Sequence, residues 1–136
     1  MADIGLFDST VSVLAKALDL RAQNQQLIAS NIANAETPGF APSRLDFEAK
    51  LRAAIDVKSP SSGPRQERHF PLSSSRIDDV RGDVITDRSS DIGDGNGVSL
   101  DDEMVQMAEN QIYYQAATQM ISKKFALLKY AAGGGR

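Results

Sequence analysis

The 136-residue chain has no cysteine, no tryptophan and a single histidine. Without cysteine it can form neither a disulfide framework nor a thiolate metal site. Aromatic residues make up only 6% of the chain and hydrophobic residues 41%, so few bulky side chains are available for a globular interior. The length suits one domain, but the composition predicts a small core.

Strong charge and long apolar runs are also missing. The net charge of −3 gives no general attraction to nucleic acid or anionic lipid, so no nucleic-acid partner is expected. No run of about 18 apolar residues could span a membrane, and the N-terminus "MADIGLFDST" lacks the basic and apolar regions of a cleaved secretory signal. On composition alone, the expected location is the cytoplasm.

Residues that could carry chemistry are few. His69 has no cysteine or second histidine to form a nucleophile pair or a zinc site. The stretch "GDGNG", Gly93 to Gly97, lacks the lysine of a phosphate-binding loop. It approaches a calcium loop with Glu103 at the twelfth position, but Ile92 replaces the first aspartate, which favours an ordinary turn. We therefore expect no catalytic, cofactor-binding or metal-binding residues and no small-molecule substrate.

The N-terminal part is predicted to be a helix from about Asp8 to Ala35, with Asp8 or Ser9 as its N-cap. Leu20 and Leu27 lie off its main stripe, so this helix should contact more than one neighbour. The stripe itself follows a heptad spacing and comprises Val11, Leu14, Leu18, Arg21, Gln25, Ile28 and Ile32.

The helix is predicted to end within "SNIANAETPGF". Asn31 and Asn34 are poor helix formers because their amides compete for backbone hydrogen bonds, which raises the question of what they bind. The residue before Pro38 is disfavoured in the α region, so the helix should end near Glu36. Pro38 and Gly39 suit the centre of a type II turn.

The middle of the chain is predicted to be mostly irregular. Ser43 and Asp46 resemble a capping box for a short helix carrying Phe47, Leu51 and Ile55. From Val57 to Gly97 the sequence is rich in serine, proline, glycine and charge, which is typical of a long loop. At most one or two short strands are expected there, around Asp83 to Thr86.

The C-terminal part carries the strongest periodicity. Ser99 and Asp102 form a capping box for a helix running to about Tyr130. Its heptad seam comprises Leu100, Met104, Met107, Gln111, Tyr114, Thr118, Ile121, Phe125 and Leu128.

These elements predict a mostly α-helical fold, in which long N- and C-terminal helices form an antiparallel coiled coil. The expected segments are an N-terminal helix (1–36), a turn and short helix (37–56), an irregular, loop-rich segment (57–97) and a C-terminal helix (98–136). Because two helices bury little area while ordering each residue costs roughly 1 to 2 kcal/mol, the free monomer should be marginally stable.

The stretch from Ala17 to Leu51 resembles the N-terminal region of the flagellar rod and hook axial proteins. The family motif is Asn-(Ile or Leu)-Ala-Asn, two residues, then Thr-x-Gly-(Phe or Tyr). It is matched here by Asn31, Ile32, Ala33, Asn34, Thr37, Gly39 and Phe40. The stretch from Asp94 to Ala131, with its "MAENQ", is similar to the proximal-rod members of that family.

The resemblance implies a structural subunit of the proximal rod of the bacterial flagellar basal body, polymerising through its terminal helices and linking the MS ring to the drive shaft. It implies export by the flagellar type III apparatus without a cleaved signal peptide, and a periplasmic location. The implied partners are other rod proteins, the MS-ring protein and the rod adaptor protein. A sister proximal-rod protein and a cytoplasmic helical adaptor or binding module are the alternatives.

The candidate site is accordingly a subunit interface. Asn31 and Asn34 are expected to bond across this contact or to hold the turn, with packed neighbours satisfying their amides. The predicted interface residues are Leu14, Leu18, Ile28, Asn31, Ile32, Asn34, Thr37, Gly39, Phe40, Met104, Met107, Gln111, Tyr114, Ile121, Phe125 and Leu128.

Overall fold

The computed structural model describes residues 4–56, 75–88 and 97–133, so His69 and most of the "GDGNG" stretch lie outside the described residues. The elements in chain order are α1 (Ile4–Ala33), β1 (Ser43–Asp46), α2 (Glu48–Asp56), α3 (Ser75–Asp78), β2 (Asp83–Thr86) and α4 (Leu100–Ala132). The mostly helical fold with long terminal helices is confirmed.

The two long helices pack against each other in opposite directions. Asn31, near the end of α1, meets Glu103 in the first turn of α4. Arg21, earlier in α1, meets Asn110, farther along α4. The expected antiparallel arrangement of the terminal helices is therefore present.

The bounds of α1 differ from the prediction at both ends. It begins at Ile4, so the predicted caps at Asp8 or Ser9 are wrong: the helix-compatible residues before them extend the helix by one turn. It ends at Ala33, where the Asn34 N–H bonds to the carbonyls of both Ser30 and Asn31, at 3.1 and 3.2 Å. Such a tightened last turn is a common way for a helix to stop.

The type II turn after α1 is confirmed. The Phe40 N–H donates to the Thr37 carbonyl at 3.2 Å, and Gly39 has a φ of 74°. The third position of this turn type requires a positive φ, which glycine adopts without steric cost. The turn sends the chain back along α1 into β1.

The strands β1 and β2 form an antiparallel ribbon in which Ser43 lies opposite Thr86 and Asp46 opposite Asp83. The predicted strand at Asp83–Thr86 is confirmed at its bounds. The capping box at Ser43 and Asp46 is wrong, because the backbone of these residues pairs with β2 instead. The predicted short helix is present as α2.

The short helix α3 was not predicted, because four residues are too few to show a helical period. Its Ile77 and the following Val80 are buried, and the Lys16 ammonium of α1 donates to the Asp78 carbonyl at 2.8 Å. A cation at that position also suits the negative end of a helix. These contacts hold α3 against α1.

A small apolar core lies between α1, the ribbon and α2. Leu20, Leu45, Phe47 and Val80 are buried together, and Leu27, Leu51 and Ala54 pack against them. Leu20 and Leu27 are the two residues outside the heptad stripe, so α1 contacts neighbours on two faces, as expected. None of the described helices is both long enough and apolar enough to cross a membrane.

Candidate functional site: the α1–α4 contact and the exposed side of α4

The side of α4 that faces α1 is rotated from the predicted heptad seam. The buried residues of α4 are Glu103, Asn110 and Ala117, which are seven residues apart and are called the inner row here. Six of the nine residues of the predicted seam are exposed: Leu100, Tyr114 and the four residues called the outer row here, which are Met104, Gln111, Thr118 and Phe125. The other three, Met107, Ile121 and Leu128, are half-buried.

Asn31 lies at the centre of the contact and is 1% exposed. Its side-chain oxygen accepts from the Ser43 N–H at 3.0 Å, and its Nδ2 donates to the Ser43 carbonyl and to Glu103 Oε2, both at 2.9 Å. One amide thus connects α1, β1 and α4. The polar groups of Asn31 are satisfied within the chain, and no neighbouring subunit is needed to bind them.

Asn34 has a local role. Its Nδ2 donates to the Ser30 carbonyl at 2.8 Å, and its Oδ1 accepts from the Thr37 hydroxyl at 3.4 Å. The first bond gives the Ser30 carbonyl a second donor besides the Asn34 N–H, and the second holds the start of the turn. The two asparagines of the motif therefore have different structural roles: Asn31 joins α1, β1 and α4, and Asn34 stabilises the C-terminal end of α1.

Glu103 is a buried carboxylate with two polar partners, Asn31 and Arg44. It accepts from Asn31, and its Oε1 lies 3.7 Å from Arg44 Nη2 of β1. With the amide of Gln106 oriented so that its oxygen faces Arg44, that oxygen accepts from Nη2 at 2.8 Å and Nη1 at 3.2 Å. Because Glu103 is bonded inside the fold, it is not available as the twelfth ligand of a calcium loop.

Asn110 forms the second polar contact, one heptad after Glu103. Its Nδ2 donates to the Arg21 carbonyl at 2.9 Å and to the Gln25 side-chain oxygen at 2.8 Å. Its Oδ1 accepts from Asn24 at 3.3 Å and from Arg21 Nη1 at 3.5 Å. Both ends of a 3% exposed amide are thereby satisfied, as a buried polar group requires.

Arg21 joins three elements from the same region. Its guanidinium carbon lies 4.9 Å from the ring centre of Phe47 and 4.5 Å from that of Tyr113. Its Nη2 donates to Glu48 Oε1 of α2 at 2.6 Å. Arginine suits this position because its planar group can stack on aromatic rings while its edges donate hydrogen bonds.

Outside the contact, α4 exposes many large apolar side chains along most of its length. Scattered apolar residues are normal on a protein surface, but a run of this size on one helix marks an interaction surface. Besides Tyr113, whose ring stacks on Arg21, the exposed residues are Leu100, Met104, Val105, Ile112, Tyr114, Met120, Phe125, Leu127 and Tyr130.

The predicted interface residues fall into three groups by exposure. Ile28 and Asn31 are buried inside the chain. The half-buried residues are Leu14, Leu18, Ile32, Asn34, Phe40, Met107, Ile121 and Leu128. The exposed residues are Thr37, Gly39, Met104, Gln111, Tyr114 and Phe125.

Sequence reasoning missed the inner row of α4. Of its partners on α1, Arg21, Gln25 and Asn31 were singled out by the sequence, and Asn24 was not. Glu103 and Asn110 have the seven-residue spacing of a heptad, but a heptad seam is identified from its apolar residues, and these two residues are polar. Nor do the described residues contain a cluster of three or more acidic or histidine side chains that could hold a metal ion. The arrangement offers packing surfaces and hydrogen bonds, which suit an assembling protein.

Comparison with known proteins agrees with this arrangement. Residues 12–40, from α1 through the turn, match the family described as "Flagella basal body rod protein". Residues 94–132, which include α4, match the family described as "Flagellar basal body rod FlgEFG protein C-terminal". The chain thus has the two terminal regions of a structural protein of the flagellar basal-body rod.

Curated relatives identify the branch of that class. The flagellar basal body rod protein FlgB of Yersinia enterocolitica is 35% identical, over 79% of this chain and 82% of its own length. FlgB of Bacillus subtilis is 31% identical over 98% of this chain and its full length, and FlgB of Salmonella typhimurium is 30% identical over 94% and 96%. The chain belongs to the FlgB family of flagellar basal body rod proteins.

Membership in this family corrects the cellular location expected from composition. The family consists of structural rod proteins and not of enzymes, and its place is the flagellar basal body. The cytoplasmic location inferred from composition is therefore wrong.

Proposed function

We propose that this chain is a subunit of the proximal part of the rod, and that it polymerises through its terminal helices to link the MS ring to the drive shaft. Neighbouring subunits pack on the exposed side of α4 and complete a coiled-coil layer there. The other proposed partners are further rod proteins, the MS-ring protein and the rod adaptor protein. Delivery by the flagellar type III apparatus, without a cleaved signal, and a periplasmic location belong to the same proposal.

The observation that supports this proposal is the exposure of the outer row. Met104 is 58% exposed and Phe125 53%, although both occupy heptad positions. A heptad repeat places apolar residues along one face of a helix, where they pack against another helix. Since α1 contacts the inner row instead, the outer row is available to a different helix, and burying it would add the apolar contact that the small core lacks.

The test places a charge on this surface without touching the fold. Phe125→Glu should abolish swimming and rod assembly in a motile strain whose own copy has been deleted, because a carboxylate would be buried between subunits. The purified variant should keep the helicity and urea midpoint of the parent. Gln119→Glu, at another exposed position of α4, is the matched control and should swim normally. Normal swimming of the Phe125→Glu strain would refute the proposal.

A further inference from the structure

The α1–α4 contact uses the less apolar of two neighbouring rows. The inner row contains a carboxylate, an amide and one methyl group, whereas the adjacent outer row contains the large apolar side chains of Met104 and Phe125 as well as Gln111 and Thr118. One residue corresponds to a rotation of about 100° around the helix axis. Apolar burial alone would therefore favour an α4 turned so that the outer row faces α1.

The hydrogen bonds of the inner row oppose that rotation. Turning α4 would separate Glu103 from Asn31 and remove Asn110 from its partners on α1. The Asn31 amide would keep only Ser43, and a buried polar group without a partner is strongly disfavoured. The polar contacts therefore specify one rotation among those that burial of apolar area would allow.

The spacing of the contacts also specifies the axial position. Glu103 and Asn110 are seven residues apart on α4, and their partners Asn31 and Asn24 are seven residues apart on α1. In an antiparallel pair both contacts form together in one register only. A slip of one heptad can align no more than one of them. Single buried polar residues are known to fix register in coiled coils in this way.

We infer that Glu103 and Asn110 are the specificity-determining residues of the α1–α4 contact, holding α4 in the rotation that leaves the outer row facing outward. The consequence for assembly, that Met104 and Phe125 stay available to neighbouring subunits, rests on the proposed function. The orientation itself is a property of the single chain and can be measured without assembly.

The absence of cysteine from the chain allows a direct test with single thiol reporters. Met104→Cys reports on the outer row, and Ala117→Cys reports on the inner row, where the parent residue is 6% exposed. Each reporter is introduced into the parent and into the Glu103→Ala/Asn110→Ala background, which removes the polar groups while leaving the inner row less apolar than the outer row. Its rate of alkylation is measured on the full-length purified monomer. Glu109→Ala/Gln115→Ala is the matched control background, because it removes one carboxylate and one amide from exposed positions of α4.

The two reporters should move in opposite directions. In the Glu103→Ala/Asn110→Ala background, we expect Met104→Cys to react at least tenfold more slowly and Ala117→Cys at least tenfold faster than in the parent. The control background should leave both rates unchanged. Unchanged rates at both positions would overturn the inference, and so would faster reaction at both, which is the pattern of unfolding. If Phe125→Glu strains swim normally, the proposed function fails, but the thiol result on the isolated chain stands independently.

Discussion

Asn31 and Ser43 are joined by two hydrogen bonds: the asparagine side chain accepts from the Ser43 N–H at 3.0 Å and donates to the Ser43 carbonyl at 2.9 Å. The side chain thus imitates a neighbouring strand and binds the first residue of β1 to the last turns of α1. Because the same Nδ2 also donates to Glu103, the Asn31 side chain connects α1 and β1 to α4. The motif therefore stabilises the subunit from within.

Asn31→Ala should lower the free energy of unfolding by about 2 to 3 kcal/mol, because it removes this partner from the half-buried Ser43 backbone and from the buried Glu103 carboxylate. Urea denaturation followed by far-UV circular dichroism measures the loss. Asn34→Ala is the matched control; it removes two local bonds near the surface and should cost less than about 1 kcal/mol. Equal losses for the two variants would contradict the central position of Asn31.

Arg21→Lys should lower the free energy of unfolding by about 1 kcal/mol although the charge is kept. Lysine cannot stack a planar group between the Phe47 and Tyr113 rings. Glu48→Gln separates the stacking from the ion pair: Glu48 is 68% exposed, so this variant should change stability by less than about 0.5 kcal/mol. A larger effect for Glu48→Gln than for Arg21→Lys, measured by the same urea titration, would show that the ion pair dominates.

Gly82→Ala tests the packing beneath the ribbon. An added Cβ would lie 2.5 Å from Leu45 Cγ, so the buried leucine must shift, at a cost of about 1 to 3 kcal/mol. The Cβ added by Gly39→Ala would have no atom within 4 Å. This variant should therefore lose only about 1 kcal/mol of unfolding free energy, because of the positive φ.

The cause of the Gly82→Ala effect can be separated with a double-mutant cycle. Leu45→Ala removes the atoms that the new methyl group would meet, so adding Gly82→Ala to it should cost much less than in the parent. Equal costs in both backgrounds would mean that the backbone at Gly82, and not contact with Leu45, is responsible.

Local signals allowed the helix cap at Ser99, the turn at Gly39 and the strand at Asp83–Thr86 to be predicted, because each depends on residues within a few positions. The strand at Ser43–Asp46 could not be predicted in this way, since its partner lies about 40 residues later and its serine and aspartate also suit a helix cap. The same limit applies to the site. Heptad analysis located α4 and its half-buried residues Met107, Ile121 and Leu128, but none of its buried residues. Which row is buried depends on hydrogen bonds to α1, and residue spacing does not reveal these bonds.

The N-cap of α4 gives a last prediction, which concerns where unfolding of this helix begins. The Ser99 hydroxyl accepts from the Asp102 N–H at 3.4 Å, a long bond, while Glu103 in the same turn is bonded to Asn31. Ser99→Ala should therefore cost about 0.5 to 1 kcal/mol, at the low end for a lost cap, because the Glu103 contact still holds the first turn. Ser99→Asp keeps an acceptor and should restore stability.

In a Glu103→Gln background, whose amide can still accept from Asn31 but carries no charge, amide hydrogen exchange over 100–104 should be faster, and Ser99→Ala should accelerate it further. If Ser99→Ala alone accelerates exchange through all of α4, the cap and not the polar contact determines the stability of the helix.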